Sequence, residues 1–131
     1  MADIEDLVSR VFDTAMSVHI DVGPGLFETV YEQLLANRLI RQGLKVERQK
    51  PAGARIDGLD FPEAFRIDMF VEDILLIEIK SIDRLAPVHT RQTLTYLRLM
   101  KLPLGLLLNF GGITLKGQMK RVANNYRQGA H

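Results

Sequence analysis

The sequence predicts an α/β fold in which a mixed, four-stranded sheet is flanked by helices. Three observations carry this reading. The run Ile74-Leu75-Leu76-Ile77-Glu78-Ile79-Lys80 is of strand length and bounded by Glu72-Asp73 and Ser81, the pattern of a strand buried on both faces. Near the start of the chain, apolar residues recur at helical rather than alternating spacing. A further helical segment separates the first apolar run from a second one, a spacing that allows a crossover and parallel pairing.

Each element has its own signal. Ile4, Leu7, Val11, Ala15 and Val18 define an amphipathic helix over residues 3–20, and Asp21-Val22-Gly23-Pro24-Gly25 breaks it. A second helix is predicted from about Leu26 to Gln42, stopping before Gly43. Leu44 to Lys50 alternates as a strand, and Pro51 to Leu59 reads as a turn-rich connection. Phe65 to Val71 is the second strand and Ile74 to Lys80 the third. Pro87 opens a third helix that runs to about Lys101, since proline suits a first helical turn. Leu104 to Phe110 is the fourth strand, closed by Gly111-Gly112. Ile113 to Arg121 fits no single element, and fraying is expected beyond Asn124. The first three strands can form an antiparallel meander that the fourth joins in parallel.

The totals bound the function. A chain of 131 residues, 47% hydrophobic and 25% charged, suits a single soluble domain spanning residues 1–131. It contains no apolar stretch of membrane-spanning length, and Met1 to Asp6 lacks the basic, then apolar, start of a secretion signal. A cytoplasmic location without a membrane partner is the expectation. Cysteine is absent and the histidines (His19, His89, His131) are scattered, so thiol chemistry and a histidine cage are excluded. Any metal must be held by oxygen ligands, which points to Mg²⁺ or Mn²⁺. The net charge is only +1, yet from Arg84 onward there is no Asp or Glu among several Lys and Arg. Such a half-chain could face phosphates, or it could be an ordinary solvated basic surface.

Within this frame a few polar residues stand out. Glu78 and Lys80 are two apart in a strand and share one face, where ionised groups must be paired or bound to a cation. Asp68 interrupts the preceding apolar strand. An Asp followed by Glu-x-Lys on the next strand is the pattern of a divalent-metal phosphodiesterase site. Register decides whether the two carboxylates meet. A three-residue loop at Glu72-Asp73-Ile74 places Asp68 opposite Glu78, whereas a two-residue turn places it opposite Ile77. Asp68 could instead be an edge-strand residue or a partner for Arg66 or Lys80. Glu28 lies on the stripe of Tyr31, Leu35 and Leu39 at the start of the second helix, where the helix macrodipole alone would favour a carboxylate. Gln92 and Tyr96 share a face of the third helix; the plainer alternatives are surface polarity and core packing. His89 reads as a helix-start surface residue, and Asn109 as a turn cap beside Gly111.

Taken together, these segments resemble a known family. Gly25-Leu26-Phe27-Glu28-Thr29-Val30-Tyr31 is similar to the signature of the GxxExxY proteins, a branch of the PD-(D/E)XK nuclease superfamily. The resemblance continues through Phe65-Arg66-Ile67-Asp68, Ile77-Glu78-Ile79-Lys80, Pro87 to Gln92 and Gly105 to Gly111. Gln92-x-x-x-Tyr96 also resembles the helical motif of the superfamily's exonuclease-related branch. Proline does not precede Asp68, as the superfamily label would have it. The resemblance implies a restriction-endonuclease-like core and Glu28, Asp68, Glu78, Lys80 and Gln92 as catalytic residues. It implies Mg²⁺ or Mn²⁺ held by Asp68, Glu78 and the backbone carbonyl of Ile79, with Glu28 reaching it directly or through water. Lys80 would orient the attacking water and Gln92 would help position water or phosphate, leaving a 5′-phosphate and a 3′-hydroxyl. Nucleic acid, DNA before RNA, is the implied partner.

A rival reading is a non-catalytic binding or assembly module in which Asp68, Glu78 and Lys80 form a self-satisfied ion-pair cluster. Hydrolysis of a different phosphoester is a third. So small a domain has little surface with which to wrap a duplex, and a homodimer would extend it, although no residue specifies the dimer face.

Overall fold

The structure is a computed structural model that describes residues 3–127. Its elements run α1 (Ile4–Val22), α2 (Glu28–Arg41), β1 (Val46–Ile56), β2 (Leu59–Val71), β3 (Leu75–Lys80), α3 (Pro87–Met100), β4 (Leu104–Asn109) and β5 (Met119–Ala123). Spatial order follows chain order, β1-β2-β3-β4-β5. The first three strands pair antiparallel, β4 joins β3 in parallel through the α3 crossover, and β5 closes the edge antiparallel to β4.

Helices cover both faces. On one side Leu7, Val11, Ala15 and Val18 of α1 and Tyr31, Leu35 and Leu39 of α2 pack on Leu75, Ile77, Ile79, Leu106, Leu108 and Phe110. The helical stripe thus meets the odd positions of β3 and the even positions of β4. On the other side Leu97 of α3 packs with Ile67, Phe70, Leu76 and Val122. Gly105 lets α3 sit close, because a Cβ there would press on Leu97 Cδ2 at 3.2 Å and the Leu76 carbonyl at 3.3 Å.

Two expectations are corrected. The sheet has five strands, not four. Pro51 to Leu59 is not a loose connection: β1 continues through Pro51 to Ile56 and turns at Asp57-Gly58, both left-handed, straight into β2. β1 is an edge strand, where a missing N–H costs little, and most of this arm is exposed, so no apolar alternation marks it. Gly53 sits at a register shift between Ala52 and Ala54, tightly against the Phe61 and Pro62 carbonyls. The fifth strand escaped detection because Val122 is its one buried residue.

Beyond β5 the chain stays anchored through Tyr126. Asn124 Nδ2 donates to the Leu102 carbonyl at 3.0 Å, and Tyr126 Oη donates to Glu5 at 2.6 Å. Glu5 also receives both arms of the Arg121 guanidinium at 2.7 and 2.8 Å, which ties α1 to β5. Against the expected fraying beyond Asn124, Tyr126 is held by Glu5; residues 128–131 lie outside the described residues.

Candidate active site

The β2–β3 loop decides the register. Val71 pairs with Leu75 and Met69 with Ile77, leaving the three residues Glu72, Asp73 and Ile74 in the connection. Glu72 and Asp73 both adopt left-handed backbone, held by Lys45: its N–H donates to Glu72 at 2.8 Å and its ammonium to Asp73 at 2.9 Å. This register sets Asp68 across from Glu78.

The regular ladder ends there, and Asp68 takes over its last bond. The Ile79 N–H donates to Asp68 Oδ2 at 2.8 Å. Because N–H and C=O of one strand residue point the same way, the Ile79 carbonyl faces this edge too, while the Lys80 carbonyl accepts from Phe110 on the other side at 2.8 Å.

Why Asp68 points along the sheet follows from the residue opposite it. In register, Gln49 of β1 faces Asp68, and Gln49 has φ +50° inside a strand. That conformation breaks the two-residue alternation. Arg48 and Gln49, adjacent in sequence, both bond Glu32 of α2, and Glu47 pairs with Lys50 at 3.1 Å three residues on. Across the pair Ile67 packs on the α3 side of the sheet but Met69 on the α1–α2 side. Asp68 therefore sits at the pivot, neither fully up nor fully down. Gln49 Nε2 bridges it to Glu32, at 2.7 Å from Glu32 Oε1 and 3.4 Å from Asp68 Oδ1. Glu32 is buried and anchored by the Arg48 guanidinium at 2.9 Å. The sequence singled out none of these three supports; the Arg48-Gln49 pair opposite an embedded Asp was the available signal.

Glu78 is 4% exposed, and its Oε1 has no hydrogen-bond partner. Burial, with the Asp68 carboxylate beside it, pushes its pKa up to about 9; Lys80 and the Asp68 backbone offset this only in part. The two carboxyls lie against one another, and burial with this like charge favours the neutral form of Glu78. Lys80 is half-buried on the same strand face, and among the described residues it forms an ion pair with neither carboxylate. A self-satisfied Asp68–Glu78–Lys80 cluster is thus not what the structure holds.

Glu28 is the first residue of α2 and open to solvent. Its carboxyl is raised by partial desolvation, opposed by Lys80 and reinforced by Asp68 and Glu32, so it belongs to the same electrostatic neighbourhood. Tyr31 puts it there. The buried phenol donates to the Gly23 carbonyl at 2.6 Å, accepts from the Leu26 N–H at 3.1 Å, and its ring stacks on Phe110 at 4.7 Å. Ser81, just past β3, donates to the Leu26 carbonyl at 2.8 Å and ties the turn to the site. Asn109 braces the other side: its Oδ1 accepts from the Ile82 and Gly111 amides, both at 3.0 Å. A Cβ on Gly111 would collide with the Ile82 backbone.

From α3, Tyr96 reaches this neighbourhood. Its ring stacks on Phe65 at 4.4 Å, and its pKa is raised by desolvation and then by Glu78 and Asp68. Gln92 is one turn earlier on the same face, exposed, and makes no hydrogen bond to the pair among the described residues. His89 caps the helix start, its Nδ1 accepting from the Ala86 N–H at 2.9 Å.

Residues 5–122 match the PD-(D/E)XK nuclease superfamily. The chain belongs to that superfamily. No curated protein and no solved structure matches it. The five-stranded mixed sheet with helices on both faces agrees with the superfamily's fold. Superfamily nucleases generally use divalent metals. Among the described residues no group of three or more His, Cys, Asp or Glu converges, so side chains offer two carboxylates and little more. A hard cation that keeps several waters suits such a set. The orphaned Glu78 Oε1 beside Asp68 is a buried oxygen that lacks only a positive partner. No helix among the described residues is long and apolar enough to cross a membrane.

Proposed function

We propose that this chain is a metal-dependent nuclease of the GxxExxY type, hydrolysing phosphodiester bonds of nucleic acid, with DNA the substrate to test before RNA. The observation that carries the reading is Glu78: a buried carboxyl set against a second carboxyl, with one oxygen unpartnered. Two such groups are costly to keep together unless a cation is meant to come between them.

In this reading Asp68, Glu78 and the Ile79 carbonyl hold Mg²⁺ or Mn²⁺, and Glu28 reaches it from α2 directly or through water. The bound cation supplies Lewis acidity at the phosphate and makes the attacking water more acidic. Glu78 gives up its proton on binding. Lys80, with no carboxylate partner among the described residues, orients the water and offsets charge that grows on the phosphate oxygens in the transition state. Gln92, carried on the helix face of Tyr96, positions water or the scissile phosphate. The Gln49–Glu32 bridge keeps Asp68 aimed at β3, and Tyr31 holds the turn before α2.

The test is a panel of single- and double-stranded DNA and RNA incubated with Mg²⁺, with Mn²⁺ and with chelator. Metal-dependent cleavage that leaves 5′-phosphates and disappears in Glu78→Gln is the expected result. Cleavage that persists in chelator, or equal activity of the variant, overturns the reading.

A further inference from the structure

A second feature lies beyond the Phe65–Tyr96 stack, toward the C-terminal end of α3. There the distal arm of the β1–β2 hairpin folds against the C-terminal half of α3 and leaves an open cleft of about 640 Å³. Its charged lining is Arg55, Asp60, Arg98 and Lys101. Asp60 is already paired with Arg55 at 3.3 Å, while Arg98 and Lys101 have no carboxylate partner among the described residues. The same two cations also line an adjoining cavity of about 490 Å³ bordered by Asn124 and Asn125, again without a carboxylate. Between the charges lies an apolar ledge made by Phe61 and Leu99, 42% and 36% exposed.

Unpaired cations attract a polyanion, and an exposed aromatic ring beside them offers a stacking surface. The combination discriminates. Phosphates alone would engage a duplex equally well, but a duplex keeps its base faces stacked inside, so only an unpaired strand can use Phe61. The cleft is built on the helix that carries Tyr96: Arg98 is two residues past it, and Lys101 is the C-cap of the same helix.

We infer that this cleft binds unpaired nucleotides, with Arg98 and Lys101 on the phosphates and Phe61 against a base, and feeds a single strand to the carboxylate pair. The inference rests on the nuclease reading for its second half only. Binding is measured in chelator, so that no cleavage intervenes, with a fluorescent oligonucleotide and a blunt duplex of the same length over a range of salt. Wild type binds the single strand more tightly. Arg98→Gln with Lys101→Gln weakens that binding about tenfold or more and lowers the salt slope by about 1.4, the value for two lost phosphate contacts on a single strand. Arg98→Lys with Lys101→Arg restores both. Phe61→Ala weakens single-strand binding about tenfold and leaves duplex binding unchanged. An unaltered slope in the double variant, tighter binding of the duplex by wild type, or no binding at all overturns the inference. Binding that follows this pattern without metal-dependent cleavage would instead refute the nuclease reading and leave the cleft standing.

Discussion

Replacing Glu78 with Gln tests the carboxylate pair without invoking activity. The wild-type carboxyl titrates near 9 in the folded protein against 4.5 in a free chain. Between those values the folded state keeps a proton that the unfolded state has released. Stability from this group is therefore fully present below about pH 4.5 and declines as pH rises toward 9. Each unit is worth about 1.4 kcal/mol, so on the order of 3 kcal/mol is lost by pH 7. Glutamine keeps the shape, does not titrate, and can still donate to Asp68. The variant should match wild type near pH 5 and exceed it at pH 8, where about 5 kcal/mol corresponds to roughly 15 °C in Tm for a chain of this size. Added Mn²⁺ should reverse the order, raising the wild-type Tm by mass action and leaving the variant unmoved. Calorimetry in buffers of different ionisation enthalpy should show about one proton released per metal bound at pH 7. A Tm difference independent of pH, or equal Mn²⁺ stabilisation of both proteins, would refute the reasoning.

Three further outcomes follow from the same geometry. Lys80→Ala should bind Mn²⁺ at least as tightly as wild type, since an ammonium near the cation is removed, while cleavage falls by orders of magnitude; full activity would sink the role given to Lys80. Gln49→Gly accepts the left-handed backbone that alanine resists, so in denaturant melts it should be about 1 kcal/mol more stable than Gln49→Ala, yet both should lose Mn²⁺ affinity because Asp68 loses its bridge; retained affinity would make Gln49 purely structural. Glu5 is held near pKa 2 by hydrogen bonds from Arg121 and Tyr126, so its contribution is present above about pH 4.5 and lost as pH falls toward 2. Glu5→Gln should cost roughly 1 kcal/mol at pH 6 for this partly exposed pair and nothing at pH 2, which an acid titration of stability would reveal.

How much of the fold was legible depended on burial. α1 buries a whole stripe and β3 and β4 are buried along their length, so their apolar patterns stand out in the chain, whereas α3 buries only Thr93 and Leu97 and is marked by Pro87. The outer half of the β1–β2 hairpin is solvent-facing, carries Pro51 and Pro62, and shows no alternation to read. Its one local signal is the Asp57-Gly58 dipeptide, which suits a two-residue hairpin turn but is flanked by Pro51 and Pro62, residues unusual inside strands.

In the site, the shared face of Glu78 and Lys80 required only strand parity, but Asp68 could not be placed the same way. Its position depends on a loop count that the sequence leaves open and on a backbone inversion at Gln49 that no residue type announces. Parity would have put Asp68 squarely on one face, opposed to Glu78 as one side chain to another. The inversion instead turns it toward β3, where it takes the Ile79 amide and still lies against Glu78. Strain of this kind persists only where surrounding contacts hold it, and here a buried Glu32 anchored by Arg48 supplies them. The same logic explains why Tyr31 looked like one more core residue of the second helix: its ring is core, but its hydroxyl closes the turn that carries Glu28. Residues bearing charge reveal themselves by being out of place in an apolar run. Those that aim them are chemically unremarkable for their surroundings, and only the folded chain shows what they hold.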